Sequence, residues 1–126
     1  MDQSKGPVFL DTKKTDLKKF DGCIIKINEV EYKNTISLPS KQIIVTLGSR
    51  GCSYNDNEYT TIQVDEVDVC GAGDAFLAGL VYGWLNTNNL ENSIPYGLFN
   101  ATISVTKPGC YAPSVLELTN TIQKFL

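Results

Sequence analysis

The 126-residue sequence predicts an α/β fold in which a mostly parallel sheet is flanked by helices. Three apolar runs rich in β-branched residues predict strands at 7–11, 23–27 and 42–47. Their nearly continuous apolar character favours burial on both faces, which is typical of parallel strands. Polar and partly helical stretches separate these runs, as expected for βαβ units.

The remaining sequence predicts a hairpin and three helices. Asn, Asp and Asn at 55–57 lie between two β-favouring stretches, which indicates a hairpin at the sheet edge. Helical apolar spacing covers 72–85 and, after a polar break, 91–107. A last helix begins after Ser114, and Glu117 three residues later completes a capping box.

Composition excludes several classes of function. The net charge is −3, so no broad basic surface indicates nucleic acid or anionic lipid as a partner. The absence of histidine excludes Ser-His and Cys-His catalysis and histidine metal ligation. No apolar run approaches the roughly 20 residues that span a membrane. The four cysteines contain no CxxC pair, and we expect reduced, mostly buried thiols in a cytoplasmic protein.

The stretch "VDVCGAGDAFLAGL" contains the candidate anion-binding and catalytic residues. Gly71, Ala72 and Gly73 precede a helix, where free amides and the helix dipole form an anion site. Asp74 follows directly and could accept a hydroxyl proton during phosphoryl transfer to an alcohol. The alternative is structural, because Asp is favoured where helices begin and Gly-Ala-Gly suits a tight turn. Phe76 stands where a GxGxxG motif needs its third glycine, and no GxxxxGK[ST] loop is present.

Residues 68–81, "DVCGAGDAFLAGLV", resemble the second signature of the ribokinase-like (PfkB) family of sugar kinases. Three further elements resemble that family and follow in its order. "VTLGSRGC" at 45–52 resembles the strand and loop beside the nucleotide, and "INEVE" at 27–31 resembles the Asn-x-x-Glu element. "SVTKPGC" at 104–110 resembles the segment that closes over adenine. The resemblance covers nearly the whole chain and implies the C-terminal portion of a three-layer ribokinase-like fold.

The resemblance implies a role for particular residues. Asp74 would be the catalytic base, and the amides of Gly71, Ala72 and Gly73 would form the anion hole. Asn28 and Glu31 would hold Mg²⁺ through water. The implied nucleotide contacts are Thr46, Leu47, Gly48, Ser49, Gly51 and Asn100. The implied site for a monovalent cation, K⁺, comprises Asp68, Cys70, Ser104, Lys107 and Gly109.

The implied activity is the ATP-dependent phosphorylation of a hydroxyl on a sugar or sugar phosphate. Residues 1–126 would form the nucleotide-binding part, and we expect the N-terminal sugar-binding half and its lid to be absent from this sequence. The chain would then work with that half or as a homo-oligomer. The alternatives are a non-catalytic nucleotide-binding or regulatory module, and a structural domain whose glycine turn is only a helix cap.

A finer resemblance concerns the substrate. Asp11, Lys13 and Asp16 in "VFLDTKKTDLKKF", together with "DV" before the glycine turn, resemble the heptose-7-phosphate kinases. Lys13 and Lys14 are then candidates for phosphate contacts. The alternative interpretation is a solvated basic turn.

Overall fold

A computed structural model describes residues 8–11, 24–34, 43–55 and 57–125 of the protein. The chain divides into two units, of which the first comprises Met1–Gly48 with Cys52–Glu58. The second comprises Ser49–Gly51 with Tyr59–Leu126. Most of the sheet belongs to the first unit, and three long helices belong to the second.

The sheet has five strands in the order β1-β2-β3-β4-β5. The β1–β2 and β2–β3 pairs are parallel, whereas β4 pairs with β3 in the antiparallel sense. A short helix, α1, follows β2, and a 3₁₀ turn follows β3. The bounds are β1 Phe9–Asp11, β2 Ile24–Asn28, α1 Glu29–Lys33, β3 Ile43–Thr46, the 3₁₀ turn Gly48–Arg50, β4 Cys52–Tyr54 and β5 Asn57–Tyr59.

The strand order confirms the predicted edge pair. β5 lies at the edge of the sheet and is the hydrogen-bonded neighbour of β4. Asn55 follows β4 with a left-handed backbone (φ 56°), a conformation that asparagine tolerates better than most residues. The mostly parallel sheet with an edge hairpin is therefore the arrangement that the strand patterns predicted.

Strand β2, which lies between β1 and β3, is buried on both faces. Its side chains alternate between faces, and Ile25 and Ile27 pack with Ile43 and Val45 on one of them. On the other face, Ile24 and even Lys26 are buried, with Lys26 only 5% exposed. This burial explains why the strand is almost continuously apolar and confirms the prediction made from that pattern.

The second unit contains α2 Ala72–Thr87, α3 Leu90–Val105 and α4 Val115–Phe125. Helices α2 and α3 are packed side by side and joined by a two-residue connection. Asn88 ends α2 in a left-handed conformation (φ 54°), with its N–H donating to the Trp84 carbonyl at 2.8 Å. Asn89 caps α3 through its side-chain oxygen, which accepts from the Asn92 N–H at 2.9 Å. The end of α2 and the start of α3 are thus each capped by an adjacent asparagine.

Helices α2 and α3 approach closely at Gly79. A Cβ at that position would lie 2.5 Å from the Tyr96 carbonyl oxygen and 2.8 Å from the Asn100 Cβ. A side chain of any size would therefore push the two helices apart. The buried apolar residues of the second unit are Ala75, Phe76, Leu80, Leu90, Ile94, Leu98, Phe99, Val105 and Leu118.

Helix α4 begins with the predicted capping box. The Glu117 N–H donates to Ser114 Oγ at 3.1 Å, and the Ser114 N–H donates to Glu117 Oε1 at 3.0 Å. Phe125 near its end lies 6.3 Å from Phe99 of α3, measured between ring centroids. Within the described ranges, no helix is both long enough and apolar enough to cross a membrane.

Candidate active site

The turn before α2 presents main-chain amides at the start of that helix. Gly71 is the N-cap, with a left-handed backbone (φ 76°) and no side chain to cap the helix. The Ala72 N–H donates to the Val69 carbonyl at 3.2 Å, whereas the amides of Gly71 and Gly73 have no partner among the described residues. Unpaired amides at the positive end of a 16-residue helix form a site suited to an anion.

Asp74 lies at the third position of α2, and its side chain is exposed. Two other helices carry an acid at the equivalent position, Glu31 in α1 and Glu117 in α4. Both of those glutamates accept a hydrogen bond from the N–H of their own N-cap residue. The Asp74 carboxylate makes no hydrogen bond in the part of the chain that the structure describes. Asp74 is therefore not a capping residue, which weakens the structural alternative for this acid.

The Asp68 carboxylate joins the turn before α2 to the loop after α3. Its Oδ1 accepts from the Cys70 N–H at 2.9 Å, and its Oδ2 accepts from the Gly109 N–H at 3.0 Å. The Asp68 N–H in turn donates to the Val105 carbonyl at 3.2 Å. Three residues assigned to the monovalent-cation site, 68, 70 and 109, are thus brought together. Their role in binding a cation stays a prediction.

The other two residues assigned to that site are Ser104, in the last turn of α3, and Lys107, in the loop that follows. Ser104 is fully buried, and its hydroxyl donates to the Tyr111 main-chain carbonyl at 2.7 Å. Lys107 is exposed, and its N–H donates to the Ser104 carbonyl at 3.3 Å. The positive charge of Lys107 also helps to lower the pKa of Glu117. These contacts connect the loop after α3 to the end of that helix and to the start of α4.

The sequence pattern did not indicate Tyr111, whose hydroxyl donates to Glu117 Oε1 at 2.5 Å. This hydrogen bond is the main cause that raises the pKa of Tyr111. The pKa of Glu117 is lowered, mainly by the Ser114 N–H and then by the Tyr111 hydroxyl. No short motif predicts this contact, because it depends on how the loop after α3 folds back onto the start of α4.

The expectation of four reduced, mostly buried thiols is wrong for two of them. Cys70 and Cys110 are joined in a disulfide with a Cα–Cα distance of 4.8 Å, and both are exposed. They are 40 residues apart in sequence, so their spacing does not indicate the pairing. Cys52 is a free buried thiol as expected, and burial raises its pKa to about 12. Cys23 lies outside the described residues.

The predicted nucleotide contacts between 46 and 51 divide between the two units. Thr46, Leu47 and Gly48 belong to the first unit, in which Thr46 Oγ1 donates to the Ile27 carbonyl at 3.4 Å. Ser49 and Gly51 belong to the second. A Cβ at Gly51 would lie 1.9 Å from the Tyr59 carbonyl oxygen, so this glycine is required by a contact within the chain. Contact with a nucleotide stays a prediction for all five residues.

Asn100, the sixth predicted nucleotide contact, is only 5% exposed on α3. Its Nδ2 donates to the Ala75 carbonyl at 2.8 Å, one residue after Asp74. The amide nitrogen is therefore engaged with the start of α2. The predicted contact with adenine stays a prediction.

Asn28 and Glu31, the predicted magnesium element, form the capping box of α1. The Glu31 N–H donates to Asn28 Oδ1 at 2.7 Å, and the Asn28 N–H donates to Glu31 Oε1 at 2.8 Å. Both residues belong to the first unit. Residues 8–11, 24–34, 43–55 and 57–125 contain no cluster of three or more His, Cys, Asp or Glu side chains suited to a metal ion. Lys13 and Lys14 lie outside the described residues.

Comparison with known protein families identifies a family to which the chain is similar. The pfkB family of carbohydrate kinases matches residues 27–117. Adenosine kinase from Saccharomyces cerevisiae is 34% identical over 108 residues, which cover 83% of this chain and 30% of that protein.

Solved structures show which fold the chain shares. Ribokinase from Thermotoga maritima superposes with a TM-score of 0.79 at 23% identity, covering 94% of this chain and 49% of that one. A sugar kinase from Pyrococcus horikoshii, solved in complex with ATP, has a TM-score of 0.72 and covers 92% of this chain and 47% of that one. The chain thus spans less than half the length of these relatives, and it has the ribokinase-like fold in part. The chain belongs to the pfkB family of carbohydrate kinases.

Proposed function

We propose that this chain carries the ATP site and the catalytic base of a kinase that phosphorylates a hydroxyl of a sugar or sugar phosphate. The observation that supports this most is the state of Asp74. Its carboxylate is exposed and makes no hydrogen bond to the described residues, and neither do the preceding amides of Gly71 and Gly73. The equivalent acids of α1 and α4 are used as caps. A carboxylate that is not used as a helix cap is available for chemistry.

The arrangement suits phosphoryl transfer. The first amides of α2 would hold the phosphoryl group as negative charge develops on its oxygens. Asp74 would accept the proton of the attacking hydroxyl, whose oxygen then bonds to phosphorus. The acceptor is proposed from relatives named adenosine kinase and ribokinase, both of which act on sugar-containing small molecules.

The residues present suit the cofactors that such a reaction needs. MgATP would supply the phosphoryl group, with the nucleotide held by residues 46–51 and Asn100. Asn28 and Glu31 would hold Mg²⁺ through water, because carboxylate and amide oxygens are ligands that Mg²⁺ prefers. One oxygen of each already accepts a main-chain hydrogen bond, which favours a water-mediated contact over direct ligation. Asp68 and neighbouring carbonyl oxygens would hold K⁺.

The proposal extends to the whole protein. This chain would be the nucleotide-binding C-terminal part, completed by a sugar-binding half or by a second copy. A cytoplasmic site of action, where ATP is available, and a heptose phosphate as the acceptor stay predictions from the sequence.

Calorimetric titration with MgATP tests the nucleotide site. We expect the full chain to bind at or below roughly millimolar MgATP, the usual range of enzyme–substrate affinity. Gly73→Val should abolish binding because a branched side chain would block the amides, and Asp74→Asn should keep it. Glu91→Gln is the matched control, since Glu91 is another exposed first-turn acid and lies on α3. A folded chain that binds no MgATP would contradict the proposal.

Phosphoryl transfer distinguishes a kinase from a non-catalytic module. The chain would be joined to the sugar-binding half of a ribokinase-like relative and assayed with labelled ATP and a panel of sugars and sugar phosphates. We expect Asp74→Asn to lower the rate about 10²–10⁴-fold, the usual effect of losing an acid–base group. Glu91→Gln should leave the rate unchanged. MgATP binding with no Asp74-dependent transfer would favour the regulatory module.

A further inference from the structure

We propose that Cys70 and Cys110 form a reversible redox-modification site that exchanges with low-molecular-weight disulfides such as glutathione disulfide and controls the phosphate-binding turn. The control of the turn rests on the proposed function, whereas the modification site does not. Both sulfur atoms belong to exposed residues, although free cysteine is among the most buried residue types in proteins. Exposure makes the pair accessible to a soluble thiol or disulfide.

The backbone allows both redox states. The two Cα atoms are 4.8 Å apart, within the range that a disulfide spans without backbone movement. Asp68 holds the two segments together independently, through hydrogen bonds to the N–H groups of Cys70 and Gly109. The thiols would therefore stay close to each other after reduction, which allows the disulfide to form again.

The position of the pair links it to the anion site. Cys70 directly precedes Gly71, the N-cap of α2. A Cβ at Gly71 would lie only 3.2 Å from the Cys110 Cβ, so the turn packs against the second cysteine. The disulfide would hold this turn with its amides arranged for an anion. Reduction would remove this covalent link and leave the hydrogen bonds of Asp68 and of the Val67 N–H between the two segments.

The chemistry is a two-step exchange. A thiolate at Cys70 lies at the positive end of the α2 dipole, which favours the reactive anion. It attacks one sulfur of glutathione disulfide, forming a mixed disulfide and releasing one glutathione thiolate. The Cys110 thiolate then attacks the Cys70 sulfur and releases the second glutathione. Two protein thiols are oxidised by two electrons, glutathione disulfide is reduced to two glutathiones, and the two thiol protons pass to them.

The site is tested first without ATP. The full chain is equilibrated in glutathione buffers of graded potential, alkylated and analysed by mass spectrometry. We expect the Cys70–Cys110 disulfide to appear as a two-electron transition within the series, and Cys110→Ser to trap one glutathione on Cys70. The buried Cys52 should stay unmodified in the folded chain and serves as the internal control. A pair that stays reduced throughout, stays oxidised throughout, or carries only mixed disulfides in the wild type would overturn the proposal.

The link to the turn is tested by titrating MgATP into the oxidised and reduced forms of the same chain. We expect reduction to weaken binding about fivefold, at the low end of couplings between sites. Cys52→Ala is the control, since it removes a thiol from β4 and should keep that difference. Equal MgATP affinity in the two forms would show that the disulfide does not control the phosphate-binding turn. If neither form binds MgATP, the proposed function fails, while the thiol titration still decides the modification site.

Discussion

The side-chain amide of Asn100 donates a 2.8 Å hydrogen bond to the main-chain carbonyl of Ala75, the residue that follows Asp74. Both residues are buried, and the contact joins the middle of α3 to the first turn of α2. It is the only side-chain hydrogen bond between α2 and α3 that involves the start of α2 in the described part of the chain. The first turn of α2, which carries the proposed base, is therefore held by a residue 25 positions from Ala75 in sequence.

Asn100→Ala should destabilise the second unit. We expect the free energy of unfolding to fall by about 1–3 kcal/mol, because a buried hydrogen bond is lost. The single tryptophan, Trp84, lies on α2 and provides the fluorescence signal for urea unfolding. Asn86→Ala is the matched control: its Nδ2 donates to the Tyr82 carbonyl at the same 2.8 Å, but on an exposed surface. If Asn86→Ala lowers the free energy of unfolding as much as Asn100→Ala does, burial is not what makes the Asn100 hydrogen bond stabilising.

Gly79→Ala should destabilise the chain even though alanine favours helices. Helix propensity alone would add about 1 kcal/mol of stability. We expect instead a net loss of about 1–3 kcal/mol from overpacking. The cause is the new Cβ, which would lie 2.5 Å from the Tyr96 carbonyl oxygen.

Urea unfolding of Gly79→Ala is compared with that of Ala78→Ser, which adds an atom to the exposed face of the same helix turn. The control should change the midpoint little. If Gly79→Ala proves more stable than the wild type, α2 and α3 do not approach as closely as the structure indicates.

The Glu117 carboxylate should stabilise the start of α4 in a pH-dependent way. Its pKa is lowered in the folded chain, mainly by the Ser114 N–H and then by the Tyr111 hydroxyl. The stabilisation is therefore present above the ordinary pKa of 4.5 and is lost as the pH falls through the lower folded value. Glu117→Gln should lower the urea midpoint at neutral pH, and this difference should shrink in acid.

Two variants separate the contributions to this effect. Tyr111→Phe removes the hydroxyl donor and keeps the capping box, so it should have a smaller effect than Glu117→Gln. Glu91→Gln changes the same charge on another first turn and should not reproduce the pH dependence. A difference between wild type and Glu117→Gln that grows in acid would have the wrong sign for this explanation.

Reduction of the Cys70–Cys110 disulfide should destabilise the second unit. The bond closes a loop across a sequence separation of 40 residues that contains α2 and α3. Loop-closure entropy predicts a loss of about 4 kcal/mol in the free energy of unfolding. Urea unfolding with and without a reductant measures this loss. The stability of Cys70→Ser should not change when the reductant is added. Equal stability of the oxidised and reduced wild type would contradict this prediction.

Local sequence patterns predicted most of the fold. The β-branched runs correctly indicated the first three strands, and polar breaks separated α2 from α3. Ser114 and Glu117 predicted the start of α4 because a capping box involves residues only three apart. The motif at 68–81 also indicated the family, since the residues around a helix start are contiguous in sequence. Each of these features depends on short-range geometry that a sequence displays directly.

Only the tertiary structure showed how distant segments meet. The pairing of Cys70 with Cys110, the hydrogen bond from Gly109 to Asp68 and that from Asn100 to Ala75 all depend on α2 and α3 packing side by side. The tertiary structure also distinguished three acids that look alike in sequence, because each stands at the third position of a helix. Glu31 and Glu117 cap their helices and Asp74 does not. By itself, the sequence determined which residue types stand at the start of each helix, and the folded chain decided which of their polar groups find partners.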